Sequence, residues 1–138
     1  MFKFRKMINT GVSVPEPAVV KNDGNLVREG AAFMLSEGSP LPPEEGTKPE
    51  YVSIRYCDYD SAEIPCIRLT SNMVFEADVY GDFVKINVGD KFKFKLDGDL
   101  PTQLARCENG EEYMAIATAY APIEKSTSNP KVLIIFNV

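Results

Sequence analysis

Histidine and tryptophan are both missing from this 138-residue chain, and each absence narrows the functions open to it. Without histidine, the commonest general base and a frequent metal ligand are lost, and a cysteine nucleophile would lack its imidazole partner. Without tryptophan, the flat aromatic platform of many carbohydrate-binding modules would have to be built from the six tyrosines. The sequence therefore predicts a protein that is not an enzyme and that uses no cofactor or metal.

Long apolar runs are also missing, and the net charge is negative, whereas a nucleic-acid binder needs positive charge. Apolar runs such as 115–117 and 132–136 fall far short of the roughly 20 residues of a membrane-spanning helix. Residues 1–6 are basic, but no apolar stretch follows them as in a signal peptide. The net charge of −5 argues against a general nucleic-acid binder, which needs a clustered positive surface. We expect neither membrane nor nucleic acid as a partner.

Cysteine is scarce, and its three positions form no CxxC pair. An odd number leaves at least one of Cys57, Cys66 and Cys107 unpaired under any disulfide scheme. The sequence predicts reduced thiols in a protein that finishes folding in the cytosol. A bridge between Cys57 and Cys66 across a hairpin is the alternative.

The clearest structural pattern lies in residues 89–98, where apolar residues alternate one for one with lysines. This is the period of a strand with one buried and one solvated face, and turn residues flank it on both sides. The two sets are Phe92, Phe94 and Leu96 against Lys91, Lys93 and Lys95. The pattern predicts a mainly β domain with little helix, either a small β-barrel or a rolled antiparallel sheet.

Further strand patterns recur along the chain and are separated by turn residues. A loop is expected at 36–49 because four prolines and two glycines oppose a β-ladder, and the Asn109-Gly110 pair predicts a hairpin. Segment 132–136 is apolar on both faces and should be a central strand. The other expected strands are 26–35, 51–56, 64–69, 74–80, 83–88 and 113–120. Segment 101–106 is expected to be an irregular strand, and the alternative is one or two helical turns with Pro101 in the first turn.

The two halves of the chain also repeat one spacing, which predicts an internal pseudo-repeat. A phenylalanine follows a glycine by three residues, and a proline follows that glycine by twelve: Gly30, Phe33 and Pro42, then Gly89, Phe92 and Pro101. The segments that follow match as well, 50–54 with 112–116 and 64–69 with 132–136. The alternative is that similar turns recur in an all-β protein.

Residues 1–22 differ from the rest and are predicted to be an extended arm, with a single β-rich domain at 23–138. Two phenylalanines alternate with basic residues, and Pro15 and Pro17 favour an extended backbone. Such an arm either supplies the first strand of the domain's own sheet or docks on a neighbouring molecule.

Four segments carry a resemblance to the capsid decoration proteins of tailed bacteriophages: 26–35, 88–98, the alanine-rich 114–119 and the closing 131–138. The resemblance implies a non-enzymatic protein that binds the outer surface of the head, after assembly in the host cytoplasm. It implies the major capsid protein as partner and a homotrimer, with a monomer still open. The residues expected to face the capsid are Phe2, Phe4, Arg5, Lys6, Val12, Val14, Pro15 and Val19.

A second interpretation is a recognition module, such as an adhesin or glycan-binding domain on a virion or cell surface. It would use the proline-rich loop at 39–49 together with nearby tyrosines, and Tyr51 is the first residue to test. Tyrosine in a strand is, however, more often part of the core or its rim.

Overall fold

A computed structural model describes residues 1–8, 11, 14–44, 46–83, 85–118 and 127–138, and these residues form β-strands and no helix. Within this part of the chain no helix has the length and apolarity to cross a membrane. The strands are β1 (Lys3–Met7), β2 (Pro17–Lys21), β3 (Ala32–Ser36), β4 (Ser39–Leu41), β5 (Tyr51–Ser53), β6 (Glu63–Arg68), β7 (Met73–Asp78), β8 (Asp82–Phe83), β9 (Lys91–Phe94), β10 (Leu104–Arg106), β11 (Ala115–Ala117), β12 (Thr127–Ser128) and β13 (Lys131–Phe136).

Two antiparallel sheets contain most of these strands, which confirms the predicted mainly β fold. The five-stranded sheet has the order β2-β6-β5-β3-β4, and the six-stranded sheet has the order β1-β7-β13-β11-β9-β10. Strands β8 and β12 form a separate two-stranded ribbon. The apolar strand β13 lies between β7 and β11, so its predicted central position is confirmed.

Neither sheet closes into a barrel, and the rolled form of the prediction is the one that fits. An isolated parallel bridge joins Val79, just after β7, to Leu104 in β10. The Tyr80 N–H donates to the Leu104 carbonyl at 2.7 Å. Because β10 is the last strand of the six-stranded sheet, these contacts bring that edge of the sheet close to the end of β7.

The five-stranded sheet lies between two apolar clusters. On one face Ala32 and Val52 join the larger cluster, which also contains the inward side chains of the six-stranded sheet. On the other face Phe33 and Tyr51 stack at 5.4 Å in a smaller cluster that also contains Cys66. Because successive side chains of β3 and β5 point to opposite faces of the sheet, each strand contributes residues to both clusters.

The strand of alternating lysines is β9, and it is shorter than its sequence pattern. Phe92 and Phe94 are buried as predicted, but Leu96 is 42% exposed. The strand ends at Phe94, and the Lys95 N–H donates to the Gln103 carbonyl as the chain turns toward β10. The prediction that Leu96 shares the buried face is therefore wrong.

Two other local predictions need correction. Residues 39–41 were expected in a loop but form β4, which pairs with β3. Pro40 is tolerated because β4 is an edge strand, where a missing N–H need not break a ladder.

The turn at Asn109-Gly110 does not close a hairpin, since β9 lies between β10 and β11. Of the predicted strand 113–120, residues 115–117 form β11 and 119–120 lie outside the described residues.

The two sheets repeat one topology, which supports the predicted internal duplication. In chain order, β2, β3, β4, β5 and β6 take the same places in the first sheet as β7, β9, β10, β11 and β13 take in the second. Strand β1 is the addition, since it pairs with the outer edge of β7.

Matching hydrogen bonds fix which residues are equivalent in the two sheets. The Gly30 N–H donates to the Ser53 carbonyl at 3.0 Å, and the Gly89 N–H donates to the Ala117 carbonyl at 2.9 Å. Ser53 is therefore equivalent to Ala117, whereas the sequence match of 50–54 with 112–116 would pair it with Ala115. A shift of two residues keeps every side chain on the same face.

The prolines of the sequence repeat are not equivalent either. Pro40 pairs with Leu35, and Leu104 pairs with Phe94 at the corresponding place in the second sheet. The equivalent of Leu104 is thus Pro40, so Pro42 does not correspond to Pro101. The repeated glycine and phenylalanine mark real equivalents, but the repeated proline does not.

Gly30 provides a close contact between the start of the chain and the five-stranded sheet. The Phe2 N–H donates to the Gly30 carbonyl at 2.9 Å. Gly30 has φ +69, and a Cβ built on it would lie 2.8 Å from the Phe2 carbonyl oxygen and 2.9 Å from the Phe2 nitrogen. Only glycine allows the two backbones to meet in this way.

We predict that Gly30→Ala lowers the free energy of unfolding by about 1–3 kcal/mol more than Gly24→Ala, because only the first displaces a neighbouring backbone. Gly24 is the matched control, since it has φ +79 but nothing within 4 Å of a built Cβ. Urea denaturation of both variants measures the difference. Equal destabilisation would show that the contact with Phe2 contributes nothing beyond the cost of positive φ.

Candidate functional site

The two phenylalanines expected to face a partner are used inside the protein. Phe2 is 2% exposed, and its ring meets Phe94 at 5.7 Å and Phe136 at 5.1 Å, both edge to face. Phe4 is half-buried and packs edge to face on Phe75 at 5.8 Å. Their side chains stabilise the six-stranded sheet, so neither ring is presented to a partner while β1 holds this position.

The basic residues of the same segment lie on the surface of β1. Arg5 is exposed and pairs with Glu76 at 3.6 Å. The register between β1 and β7 shifts between Phe4 and Lys6, so Arg5 occupies a bulge, and Lys6 is exposed opposite Val74. Exposed ion pairs of this kind add little stability, but they keep this edge of the sheet charged.

The remaining residues that were expected to face the capsid lie in β2 or in the segment before it. Val14 and Val19 are 66% and 62% exposed, while Pro15 is half-buried and Val12 lies outside the described residues. Val19 is in the middle of β2, an edge strand of the five-stranded sheet. The structure thus separates the predicted set into an internal part in β1 and an exposed apolar part in and before β2.

The hydrogen-bond ladder fixes which main-chain groups of β2 point outward. The Arg68 N–H donates to the Glu16 carbonyl at 3.2 Å, and the Asn22 N–H donates to the Ala62 carbonyl at 2.9 Å. Hydrogen-bonded pairs alternate along an antiparallel ladder, so the intervening Ala18 and Val20 also bond to β6. The N–H and carbonyl of Val19 therefore point away from β6, toward the outer edge.

The side chain of Val19 lies on the sheet face that meets the larger apolar cluster. Directly opposite pairs share a face, and Val19 is opposite Pro65 on β6, next to the half-buried Ile67. Val20, one residue on, is buried in the smaller cluster. Val19 is thus an apolar extension of a core face beyond the part that the protein itself covers.

Lys91 and Lys93 of β9 and Lys95, which follows it, all have partners within the protein. Lys91 and Lys95 lie over the rings of Tyr113 and Tyr80, at 5.0 and 4.9 Å. Lys93 pairs with Glu111 at 2.7 Å. This hydrogen bond raises the pKa of Lys93 and lowers the pKa of Glu111, so Glu111 is ionised at neutral pH and is unsuited to act as a general acid.

The cysteines are free thiols in the structure, as the sequence predicts, and the Cys57–Cys66 bridge is not formed. Cys66 is 1% exposed in β6, directly opposite Ala18 of β2, and its thiol donates to the Ala18 carbonyl at 3.5 Å. Burial raises the pKa of Cys66 to about 11, and burial also raises the pKa of Cys107. A thiol with a raised pKa is a poor nucleophile at neutral pH.

Tyr51 does not provide the aromatic surface that a glycan-binding site would need, because it is buried on Phe33. Tyr59 is the better candidate, with 60% exposure. It lines a shallow groove of about 310 Å³ whose other wall includes Pro40, Leu41 and Pro42 from the proline-rich segment. The proline-rich segment of that interpretation thus lines the groove, whereas Tyr51 does not.

Comparison with known proteins adds no further assignment: a scan against protein-family models and a search of the curated proteins found no match to this chain. Among the described residues, no group of three or more histidine, cysteine, aspartate or glutamate side chains is placed to hold a metal ion. The candidate site is the edge of β2, because it combines exposed apolar side chains with main-chain groups that point outward.

We predict that the buried Cys66 thiol makes the protein sensitive to alkaline pH. Its pKa rises from an ordinary 9.0 to about 11 on folding, so its contribution to stability is complete below pH 9 and is lost as the pH rises through 11. The full shift corresponds to about 2–3 kcal/mol. Urea denaturation between pH 8 and pH 11 should show a smaller decline for Cys66→Ala than for the wild type, and equal declines would contradict the prediction.

Proposed function

We propose that this chain is a non-enzymatic decoration protein that binds the outer surface of a tailed-phage head and stabilises it by bridging coat subunits. The observation that carries the proposal is the outer edge of β2, where exposed Val14 and Val19 accompany main-chain groups that point away from the sheet. The resemblance of the sequence to phage decoration proteins supports the same function. The major capsid protein is the partner.

The size of this surface suits a protein that acts in many copies. Strand β2 has five residues, and an edge of that length buries far less than the roughly 1,200 Å² of a stable pairwise interface. On a closed shell, however, linked copies bind with a high effective concentration, so weak single contacts add up. A homotrimer on the outer capsid surface would link three such edges, and we propose this state.

The rest of the molecule suits a role that depends on mechanical stability. Among the described residues, seven phenylalanine and tyrosine side chains are buried, and both apolar clusters join residues that are far apart in the sequence: Phe2, Phe33, Tyr51, Phe75, Phe92, Phe94 and Phe136. Such a body can transmit force between its contacts without local rearrangement.

Cosedimentation with undecorated heads tests the proposal. We predict that the wild type pellets with the heads at micromolar concentration and that Val19→Asp reduces the bound fraction at least about tenfold, because a charge at the contact must be desolvated. Leu41→Asp is the matched control, since Leu41 is 44% exposed on β4 at the opposite edge of the same sheet. Wild-type protein that stays in the supernatant would refute the proposal, as would equal losses in both variants.

The groove at Tyr59 favours a second candidate function, a surface recognition module that binds glycans. An exposed tyrosine beside Pro40 and Pro42 offers a ring on which a sugar can stack. Glycan-array binding that Tyr59→Ala abolishes would favour this function. Tyr56→Ala is its control, because Tyr56 is 56% exposed and does not line the groove.

A further inference from the structure

The duplicated topology allows the two sheets to be compared edge by edge. Strand β7 of the second sheet is equivalent to β2 of the first, and its outer edge is covered by β1, which runs antiparallel to it. Among the described residues, no strand pairs with the outer edge of β2. The same place is thus filled in one sheet and open in the other.

The register between the sheets shows which residues of β2 and β7 correspond. Val20 pairs with Ile64, and Ala77 pairs with Val132 at the equivalent position. It follows that Val19 takes the place of Glu76. By the same offset, Lys21 takes the place of Asp78 and Pro17 that of Val74. These are the residues whose main-chain groups face outward in each strand.

The side chains at these places differ, so a strand with the charges of β1 fits the edge of β7 but not the edge of β2. Strand β1 brings cations against the anions of β7: Lys3 is opposite Glu76, and Arg5 also pairs with Glu76. On β2 the same positions hold the apolar Val19 and the cation Lys21. Lys21 is opposite Glu63 and lies 3.6 Å from Asp23, but its side chain is 81% exposed and can still meet a further carboxylate. A β1 strand from a second copy would place lysine against valine and further positive charge near Lys21, an unfavourable pairing.

We propose that the outer edge of β2 is an acceptor site for an extended strand donated by a partner, antiparallel to β2, in the place that β1 takes on β7. The partner strand has an apolar residue opposite Val19 and a carboxylate opposite Lys21. Main-chain hydrogen bonds to Val19 provide affinity, and the two side-chain positions provide selectivity. The assignment of the donor to a coat subunit rests on the proposed function; the acceptor site is argued from the two sheets alone.

Pro17 limits how far the added strand can extend. It has no N–H to donate, so the outward donors of β2 are the N–H groups of Val19 and Lys21. Pairing is therefore centred on Val19, and a peptide of seven residues is long enough to test it. The short pairing predicts weak binding, which calls for a method that detects millimolar affinity.

The probe is the end-capped peptide acetyl-Ser-Glu-Thr-Val-Thr-Val-Ser-amide, which places its glutamate opposite Lys21 and its first valine opposite Val19. Titration into the full 15N-labelled chain should shift the amide resonances of Val19 and Lys21 and slow their hydrogen exchange. The same peptide with lysine in place of glutamate should bind several-fold more weakly, because it puts like charges together.

Val19→Pro and Val19→Thr are a matched pair of variants for this site. Proline at 19 removes the outward N–H but no bond to β6, and Pro17 already occupies the equivalent position two residues earlier. We expect Val19→Pro to weaken peptide binding at least about tenfold, the loss expected from a main-chain hydrogen bond, and Val19→Thr to leave it within about twofold. Unchanged exchange of the Ala18 and Val20 amides will show that β2 remains paired with β6.

Four results would overturn the inference. The first is the absence of resonance shifts at millimolar peptide, the second is equal binding of the two peptides, and the third is peptide binding by Val19→Pro as strong as that by the wild type. The fourth is a wild-type dimer in light scattering that Val19→Pro converts to a monomer, because the occupant would then be a second copy. If heads bind Val19→Pro as strongly as the wild type, the proposed decoration function stands. If heads do not bind the wild type, that function is refuted, but the acceptor site is not.

Discussion

The backbone contact between Phe2 and Gly30 is the constraint on which the arrangement of the molecule depends. The Phe2 N–H bonds to Gly30 in the loop before β3, while the Phe2 ring enters the cluster formed by the six-stranded sheet. One residue thus links both sheets, by its main chain to the first and by its side chain to the second. Because a Cβ on Gly30 would collide with the Phe2 backbone, a single glycine permits this link.

This contact also explains why the two sheets have different edges. With Phe2 held at Gly30, the next residues run along β7 and cover its outer edge as β1. The equivalent edge of β2 lies in the other sheet, and the charges of β1 match Glu76 rather than Val19. Because a single strand, β1, is added to the duplicated pair of sheets, the outer edge of β7 is covered and the equivalent edge of β2 pairs with no strand among the described residues.

The sequence predicted those features that local pattern determines. Alternation identified β9, the apolar segment 132–136 identified the central β13, and the spacing from Gly30 to Phe33 identified equivalent residues in both halves. Features that depend on pairing between distant strands were missed. The place of β9 between β10 and β11 turned an expected hairpin at Asn109-Gly110 into a crossing connection. An edge position made Pro40 compatible with β4.

The candidate site shows the same division between local pattern and tertiary pairing. The alternation in residues 1–7 marks a strand, but whether Phe2 and Phe4 face a partner or the protein's own core depends on β7 and β13, which lie more than 60 residues away. Val19 was named for its place in a proline-bearing segment. Its outward N–H follows from the pairing of Glu16 with Arg68, which no pattern within residues 14–21 specifies.

An open β edge is normally a hazard, because it can pair with any other open edge and lead to aggregation. The edge of β2 carries features that restrict such pairing: Pro17 withholds one donor, and Lys21 repels strands with positive charge at the opposite position. The exposed Val19 between them favours an apolar residue on the incoming strand. Glu76 takes the equivalent position on β7, where it meets the cationic strand β1, whereas valine at this position of β2 suits an apolar residue on the opposite strand. In the acceptor role that we propose, valine leaves the edge able to pair with one class of strand, while Pro17 and Lys21 limit pairing between copies of this chain.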